Sequence, residues 1–474
     1  MKIEALPAAS PPSPAKRKRV VAALAYAGFL ASLMQALIVP LMADLPRHLN
    51  AGPGETTWLV TATLLSGAVG SVLFGRLGDL YGKKRMIVVS LACLVLGSLI
   101  GALATTAGWL IFARCLQGVT MAVVPLGISA LRNVVLGHQL IGAIATISAM
   151  VGVGGSLGLS LSAFAAQFFA WQWLFWASAL LGSLALVAIT FTMPAAPSVH
   201  RGRLDVVGVI GLLVGVVGLL VGISNGNSWG WSAGPTLFLL IGSPLILCLW
   251  GVYELRQAEP IIDLRVASRR PVLFTNLATI MVGVGMYGMI LALPQLIQLP
   301  ASTGFGLGQT VFMTGLCFAP SGITSLLLTS TAARVTHKKG PRFSMFLGAL
   351  IMAAGYGAMI LAHDQLWQVI VSSIVTSAGV SICFVAAPSL LLRHVSGNAM
   401  GQANGLNNLA RSLGTTISSA VTAAVLTGMR TGQGPGSSPS EEAFLVAFLV
   451  SGGAAVAICI FVALIGKGEA REHQ

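Results

Sequence analysis

Fourteen apolar stretches, each close to twenty residues or longer, follow one another along the 474-residue chain with only short polar breaks between them. A helix rising 1.5 Å per residue needs about 20 mostly apolar residues to cross a hydrocarbon core about 30 Å thick. In lipid every backbone N–H and C=O must be satisfied within the protein, so consecutive stretches of this length fold as membrane-spanning helices. Composition agrees: 55% of residues are hydrophobic and 8% charged, against roughly 25% charged in soluble domains. A soluble fold is excluded. Breaks at charged, Pro/Gly or Asn-rich points place the spans near 20–44, 57–75, 86–105, 109–131, 140–166, 173–193, 205–223, 235–254, 272–297, 308–330, 342–362, 366–392, 401–428 and 442–465.

The basic cluster Lys16 to Arg19 precedes an apolar run that continues to Ala43. That exceeds the roughly 7–15 residues of a secretory signal core, so the run is read as a retained span with a cytoplasmic anchor before it. An even number of spans puts both termini on one side. With this parity Arg76, Lys83, Lys84, Arg85, Arg132, Arg256, Arg270, Lys338, Lys339, Arg342 and Arg393 share the terminal face, whereas the opposite face carries only Arg47 and Arg430. The asymmetry is the positive-inside signature and predicts cytoplasmic termini.

The formal charge of +14 is divided among these short turns rather than gathered on one basic domain, which argues against nucleic acid as a partner. All six cysteines fall within apolar segments without a CxxC pair, so neither a disulfide framework nor a metal site is expected. Gly222, Ser224 and Gly226 satisfy GxSxG inside a hydrophobic span, without the strand–turn–helix context that makes the motif catalytic. No GxxxxGK[ST] loop is present, so an ATP-driven pump would need a second polypeptide. Neither a catalytic residue nor a cofactor is expected, and the chain reads as a non-enzyme.

The spans divide six, two and six. The organisation expected is a cytoplasmic tail over 1–19, a six-helix bundle over 20–193, an inserted two-helix hairpin with its flanking loops over 194–271, a second bundle over 272–465 and a tail over 466–474. Residues 329–342, TSTAARVTHKKGPR, follow the second span of their half as GRLGDLYGKKR follows the second span of the first half. The later copy lacks the aspartate.

The turn GRLGDLYGKKR carries Gly75, Leu77, Gly78, Asp79, Gly82, Lys83 and Lys84, with Arg85 alongside. Together with Arg114, Gln117 and Gly118 in the fourth span, the segment around Pro320 and GQANGLNNLARSLG at 401–414, it resembles the major facilitator superfamily, specifically its fourteen-helix drug:proton antiporter branch. The fifth span departs from the antiporter pattern, with Leu159 where that pattern has proline. The resemblance implies an all-α major facilitator fold and secondary active export of amphipathic organic compounds by alternating access, coupled to protons. It further implies a multi-pass protein of the bacterial plasma membrane, expected to be a monomer. An uncoupled facilitator or a lipid or sugar exporter is the alternative on the same fold.

Within that frame Asp79 is expected to meet the start of the thirteenth span near 399–401, where a carboxylate beside unpaired helix N–H groups gains about 0.3–1 kcal/mol, up to about 2 when partly buried. Gly75, Gly82, Lys83, Lys84, Arg85 and Arg132 complete this conformational gate; the plainer account is an acid balancing cations on a solvated loop. Arg114 and Arg411 are the basic residues well inside spans, and each should face a cavity or partner rather than lipid. No carboxylate lies deep in a span. Asp44, near the outer end of the first, is therefore the proton-coupling candidate, with Arg114 as its neighbour and Gln35 as the other partner of that arginine. Gln35, Thr61, Gln117, Met121, Asn276, Met286, Tyr287, Asn404, Asn407, Asn408 and Arg411 are the substrate-cavity candidates: methionines adapt to varied apolar shapes and amides orient a ligand without charge. Each could equally fill a packing gap or bridge helices. With positive embedded charges and no deep acid, the cargo is expected to be neutral, amphipathic or anionic.

Overall fold

The computed structural model describes residues 13–38, 49, 53–132, 134–135, 137–194, 205–257, 260–395, 400–431 and 438–465. Its first helix, α1 (Pro14–Ala36), begins before the expected span. Ser13 caps it, with Oγ accepting from the Lys16 N–H at 3.4 Å, and Pro14 occupies the first turn, where its missing N–H costs nothing. Lys16 to Arg19 therefore lie in the helix rather than ahead of it. Asp44 lies outside the described residues.

The first bundle continues with α2 (Pro53–Tyr81) and α3 (Lys83–Ala102), then α4 (Ala107–Gly118) running through a 3-10 turn, Val119–Ala122, into α5 (Val123–Leu131), and closes with α6 (Gly137–Phe168) and α7 (Gln172–Thr192). Helices α4 and α5 make one span. Pro125 lacks the N–H that an uninterrupted α-helix would bond to residue 121, and the tightened 3-10 turn falls at that point. A hairpin follows, α8 (Val206–Trp229) and α9 (Gly234–Glu254), then the short α10 (Leu264–Ala267). The second bundle is α11 (Arg270–Gln298), α12 (Val311–Lys339), α13 (Pro341–Leu361), α14 (Leu366–His394), α15 (Met400–Gly428) and α16 (Glu441–Leu464). A two-stranded ribbon, β1 (Arg430–Thr431) and β2 (Ser438–Pro439), lies between α15 and α16.

Among the described residues thirteen spans meet the length and apolarity needed to cross a bilayer, and α12, bent by 45° between Leu328 and Ser330, makes the fourteenth. The fold is that of a multi-pass membrane protein. Large side chains on the outer faces, such as Phe191, Phe238, Leu249 and Leu361, are more than 70% exposed. Only a lipid solvent makes such a surface inexpensive.

Each bundle has its own apolar core, one spanning α1 to α7 and the other α11 to α16. The bundles meet along two seams, α2 against α15 and α6 against α12 and α14. The hairpin packs through α8 onto the first of these, burying Leu212, Val216 and Leu220 against Leu65, Ala68, Val72 and Leu409.

The internal repeat is visible as matched turns. GRLGDLY, read as a loop, is helical, forming the last two turns of α2; Gly82 alone reverses the chain, at φ +101°. In the second bundle α12 likewise runs through TSTAARVTHKK and turns at Gly340, φ +88°. Both positions need the left-handed region that only glycine enters without strain. The cation after each turn does the same work. Lys84 Nζ donates to the Thr190 carbonyl, 2.8 Å, at the C-terminal end of α7. Arg342 donates from Nε to Val462 and from Nη2 to Ala463, 3.0 and 2.8 Å, at the C-terminal end of α16. Each cation satisfies carbonyls that a helix end leaves open, at its negative pole.

Candidate functional site

On the face that carries the Gly82 turn, α2 and α15 come into backbone contact. A Cβ on Gly75 would stand 2.8 Å from the Gly401 carbonyl, and one on Gly405 2.7 Å from that of Ser71. This closeness delivers Asp79, at 6% side-chain exposure, to the first turn of α15, where Oδ2 accepts from the Gln402 N–H at 3.3 Å. Gly401 leaves space for it: a Cβ there would lie 2.6 and 2.7 Å from the two carboxylate oxygens. A carboxylate among unpaired N–H groups at the positive end of a helix is a favourable electrostatic contact.

The other gate candidates divide by what they touch. Lys83 Nζ lies 3.9 Å from Asp79 Oδ1 and donates to the Ser129 carbonyl at 3.2 Å. Arg132 reaches from the first bundle to the second, Nη1 donating to Val395 at 3.5 Å. Lys84 caps α7, Gly82 makes the turn and Arg85 stays exposed.

Gly401→Ala follows as a test of this contact. Alanine is the better helix former by about 1 kcal/mol, yet its methyl collides with the carboxylate. Export is expected to fall by about tenfold with the thermal midpoint of the purified protein unchanged or raised, measured on the same preparation.

Between the bundles lies a partly open cavity, whose atom-free space is about 1160 Å³ with the adjoining open solvent included. Six candidates line it, Gln35, Met121, Met286, Tyr287, Asn408 and Arg411. The guanidinium of Arg411 sits 5.0 Å from the centre of the Phe384 ring, and Nη2 donates to Asn408 Oδ1, whose Nδ2 in turn donates to Ser71 Oγ. No Asp, Glu or His is among the lining residues described. Five candidates do not line the cavity. Gln117 is buried beside Arg114; Asn407 Nδ2 donates to Asn276 Oδ1 and Thr279 Oγ1, both at 2.9 Å, tying α15 to α11; Thr61 and Asn404 are buried elsewhere. The Asn407–Asn276 amide pair thus bridges two helices of the second bundle.

Sequence reasoning passed over Gly152, Gly155, Ser325, Ser381, Phe384 and Thr415, which also line the cavity. Gly152 and Gly155 belong to a run with Gly154 and Gly158 in α6, and the structure divides that run. Gly154 and Gly158 lie where a Cβ would meet Phe29 and Leu33 backbone oxygens at 2.3 and 3.0 Å, whereas Gly152 faces Ser325, bonded to Ser381 at 2.7 Å.

Arg114 has no exposed surface. It donates from Nη1 to Gln117 Oε1 at 2.7 Å, from Nη2 to the Met34 carbonyl at 3.0 Å and from Nε to the Leu59 carbonyl at 3.4 Å. The expected Gln35 contact is replaced by the backbone one residue earlier, and Gln35 turns its side chain to the cavity. Arg114 thus joins α1, α2 and α4.

Residues 24–419 match the family model of the Major Facilitator Superfamily. An uncharacterized MFS-type transporter of Mycobacterium tuberculosis is 26% identical over 362 residues, covering 75% of this chain but only 51% of its own length, so the chain spans about half of that relative. The lincomycin resistance protein LmrB of Bacillus subtilis is 27% identical over 336 residues, 70% of this chain and 69% of LmrB. Among solved structures, the human organic anion transporter MFSD10 superposes with a TM-score of 0.69 at 14% identity, over 95% of this chain and all of that one.

Proposed function

The chain belongs to the Major Facilitator Superfamily, and from that premise we propose that it exports amphipathic organic compounds, in the manner of multidrug efflux, by alternating access between its two six-helix bundles. The supporting observation is the cavity between the bundles together with the contact of Asp79 with the first turn of α15 on the turn-bearing face. Rocking about a central site needs a seam that can open and a contact strong enough to bias it without locking it. A helix-end carboxylate, worth about 2 kcal/mol at most, is of that order. The resistance function in the name of LmrB favours efflux. The distribution of cations favours cytoplasmic termini and a cytoplasmic gate, in the plasma membrane of a bacterium. Proton antiport is the energy source proposed, with 100 mV supplying about 2.3 kcal/mol per charge moved.

The uncoupled alternative draws on one observation: the described cavity lining holds no carboxylate or histidine to take a proton in turn from each side. Purified protein in proteoliposomes separates the readings. Substrate addition that moves protons across the membrane supports antiport, whereas transport without proton movement removes it. Failure to transport any amphipathic compound removes export itself.

Arg411 bears on the cargo. As a cation on a cavity wall whose described residues include no acid, it favours neutral or anionic amphiphiles. Arg411→Gln is expected to reduce export of an anionic dye by about tenfold or more, the scale of one charge-assisted hydrogen bond, while a neutral dye is exported within about threefold of the unaltered rate. Equal losses for both dyes would remove the charge preference.

A further inference from the structure

Two carboxylates unused by the transport reading meet at the turn-bearing end of the inserted hairpin. Asp205 caps α8, with Oδ1 accepting from the Gly208 N–H and from the Tyr253 hydroxyl, both at 3.0 Å. Glu254, the last residue of α9, is 2% exposed, and Oε1 accepts from the backbone N–H of Ile261 and, at 3.0 Å, of Ile262. The second oxygen of each, Asp205 Oδ2 and Glu254 Oε2, is buried and has no hydrogen-bond partner among the described residues. Both face the same spot. A Cβ on Gly208 would stand 2.6 Å from the first and 2.8 Å from the second, so a glycine is what lets the two approach.

The surrounding charges do not balance. Among the described residues the charged or titratable groups acting on the pair are Arg76 of α2, 6% exposed and close enough for its charge to be felt at Glu254, and Tyr253. Two ionised carboxylates against one guanidinium leave a net negative charge among the described residues, and two buried acceptor oxygens that both lie beside Gly208 repel. A single proton removes both costs, neutralising the cluster and supplying the missing donor.

The geometry points to a shared-proton site: Asp205 and Glu254 hold one proton between Oδ2 and Oε2. The proton comes from water on the turn-bearing side and returns to it, and no other bond changes. It belongs to the pair rather than to either residue, as in other coupled carboxylates. Arg76 stands one turn before Asp79 on α2. When the proton leaves, the pair attracts Arg76 more strongly and draws that end of α2 toward the hairpin, so the state of the hairpin biases the gate. This last step rests on the export reading; the titration itself does not.

Infrared difference spectroscopy of the purified full-length protein in lipid nanodiscs, followed as pH is raised, tests the site. One protonated-carboxyl C=O band is expected to persist above the usual Asp and Glu range of about pH 4, and to be lost in both Glu254→Gln and Asp205→Asn. Tyr253→Phe, which keeps both carboxyls but removes a donor to the ionised form, should move the midpoint of that band up by about one pH unit. Absence of the band at neutral pH in the unaltered protein overturns the proposal, as does a band untouched by both neutralising substitutions. If neither of those variants folds, an unmoved midpoint in Tyr253→Phe overturns it. Export without proton movement alongside an intact band would remove antiport and leave the site standing.

Discussion

Replacing Asp79 with Asn is expected to lower export at least about tenfold while leaving the amount of folded protein in the membrane unchanged. The side chain keeps its shape, so nothing in either bundle core is disturbed. What is lost is the negative charge that meets the Gln402 N–H at the start of α15 and pairs with Lys83. A charge at a helix N-terminus contributes up to about 2 kcal/mol and a hydrogen bond to a charged group about 1.5–3 kcal/mol. A change of about 1.4 kcal/mol already shifts the closed-to-open ratio tenfold, and the cycle then stalls with the turn-bearing side open. Export assays on cells with matched protein levels give the answer. Asp79→Glu separates charge from fit: its extra methylene has no room beside Gly401, so partial rescue identifies charge as the larger component. Unaltered export in Asp79→Asn would remove the gate.

Arg114→Ala is expected to act on the fold rather than on the gate. Truncation leaves the Met34 carbonyl and the Gln117 amide oxygen without this donor in a site that water does not reach, while the Leu59 carbonyl keeps the Thr63 hydroxyl at 3.0 Å. Each stranded acceptor costs about 1–3 kcal/mol. The total takes a large part of the roughly 5–15 kcal/mol by which a folded protein exceeds its unfolded chain. Folded yield by size-exclusion chromatography should fall severely, with a lower thermal midpoint in what remains. Arg114→Lys should not restore it, because one ammonium cannot span three acceptors arranged for a guanidinium fork. Normal yield and midpoint with export abolished would instead assign Arg114 to coupling.

These two residues show how far the sequence can be read. The spans were legible because apolar length is a one-dimensional property, and most observed helices start and stop within a few residues of the Pro, Gly and charged breaks. The exceptions have local causes: α2, α8 and α12 run past their expected ends to the positive-φ glycines Gly82, Gly230 and Gly340, and at α1 Ser13–Pro14 is a helix-start signal in its own right, outweighed in the reading by the cations that follow. Asp79 was legible because an acid among glycines on a short turn has few roles. The direction of a side chain around a span was not. Helices that are apolar on every side carry almost no amphipathic signal, so Asn407 and Asn408, adjacent in sequence, could not be separated into a helix bridge and a cavity wall. Nor could the pairing of Asp205 with Glu254, which are 49 positions apart and meet only because Gly208 leaves room.

The clasps made by Lys84 and Arg342 bear on how such a molecule can move. Each fastens the third span of its half, or the turn leading into it, to the last helix of the same half, and neither reaches across to the other. A tilt of one half against the other, as the proposed transport cycle requires, would leave both fastened, and each half would swing as a solid lever. The yielding falls on the glycine-thinned backbone contacts of α2 with α15, where no long side chains need to be disentangled before the halves part.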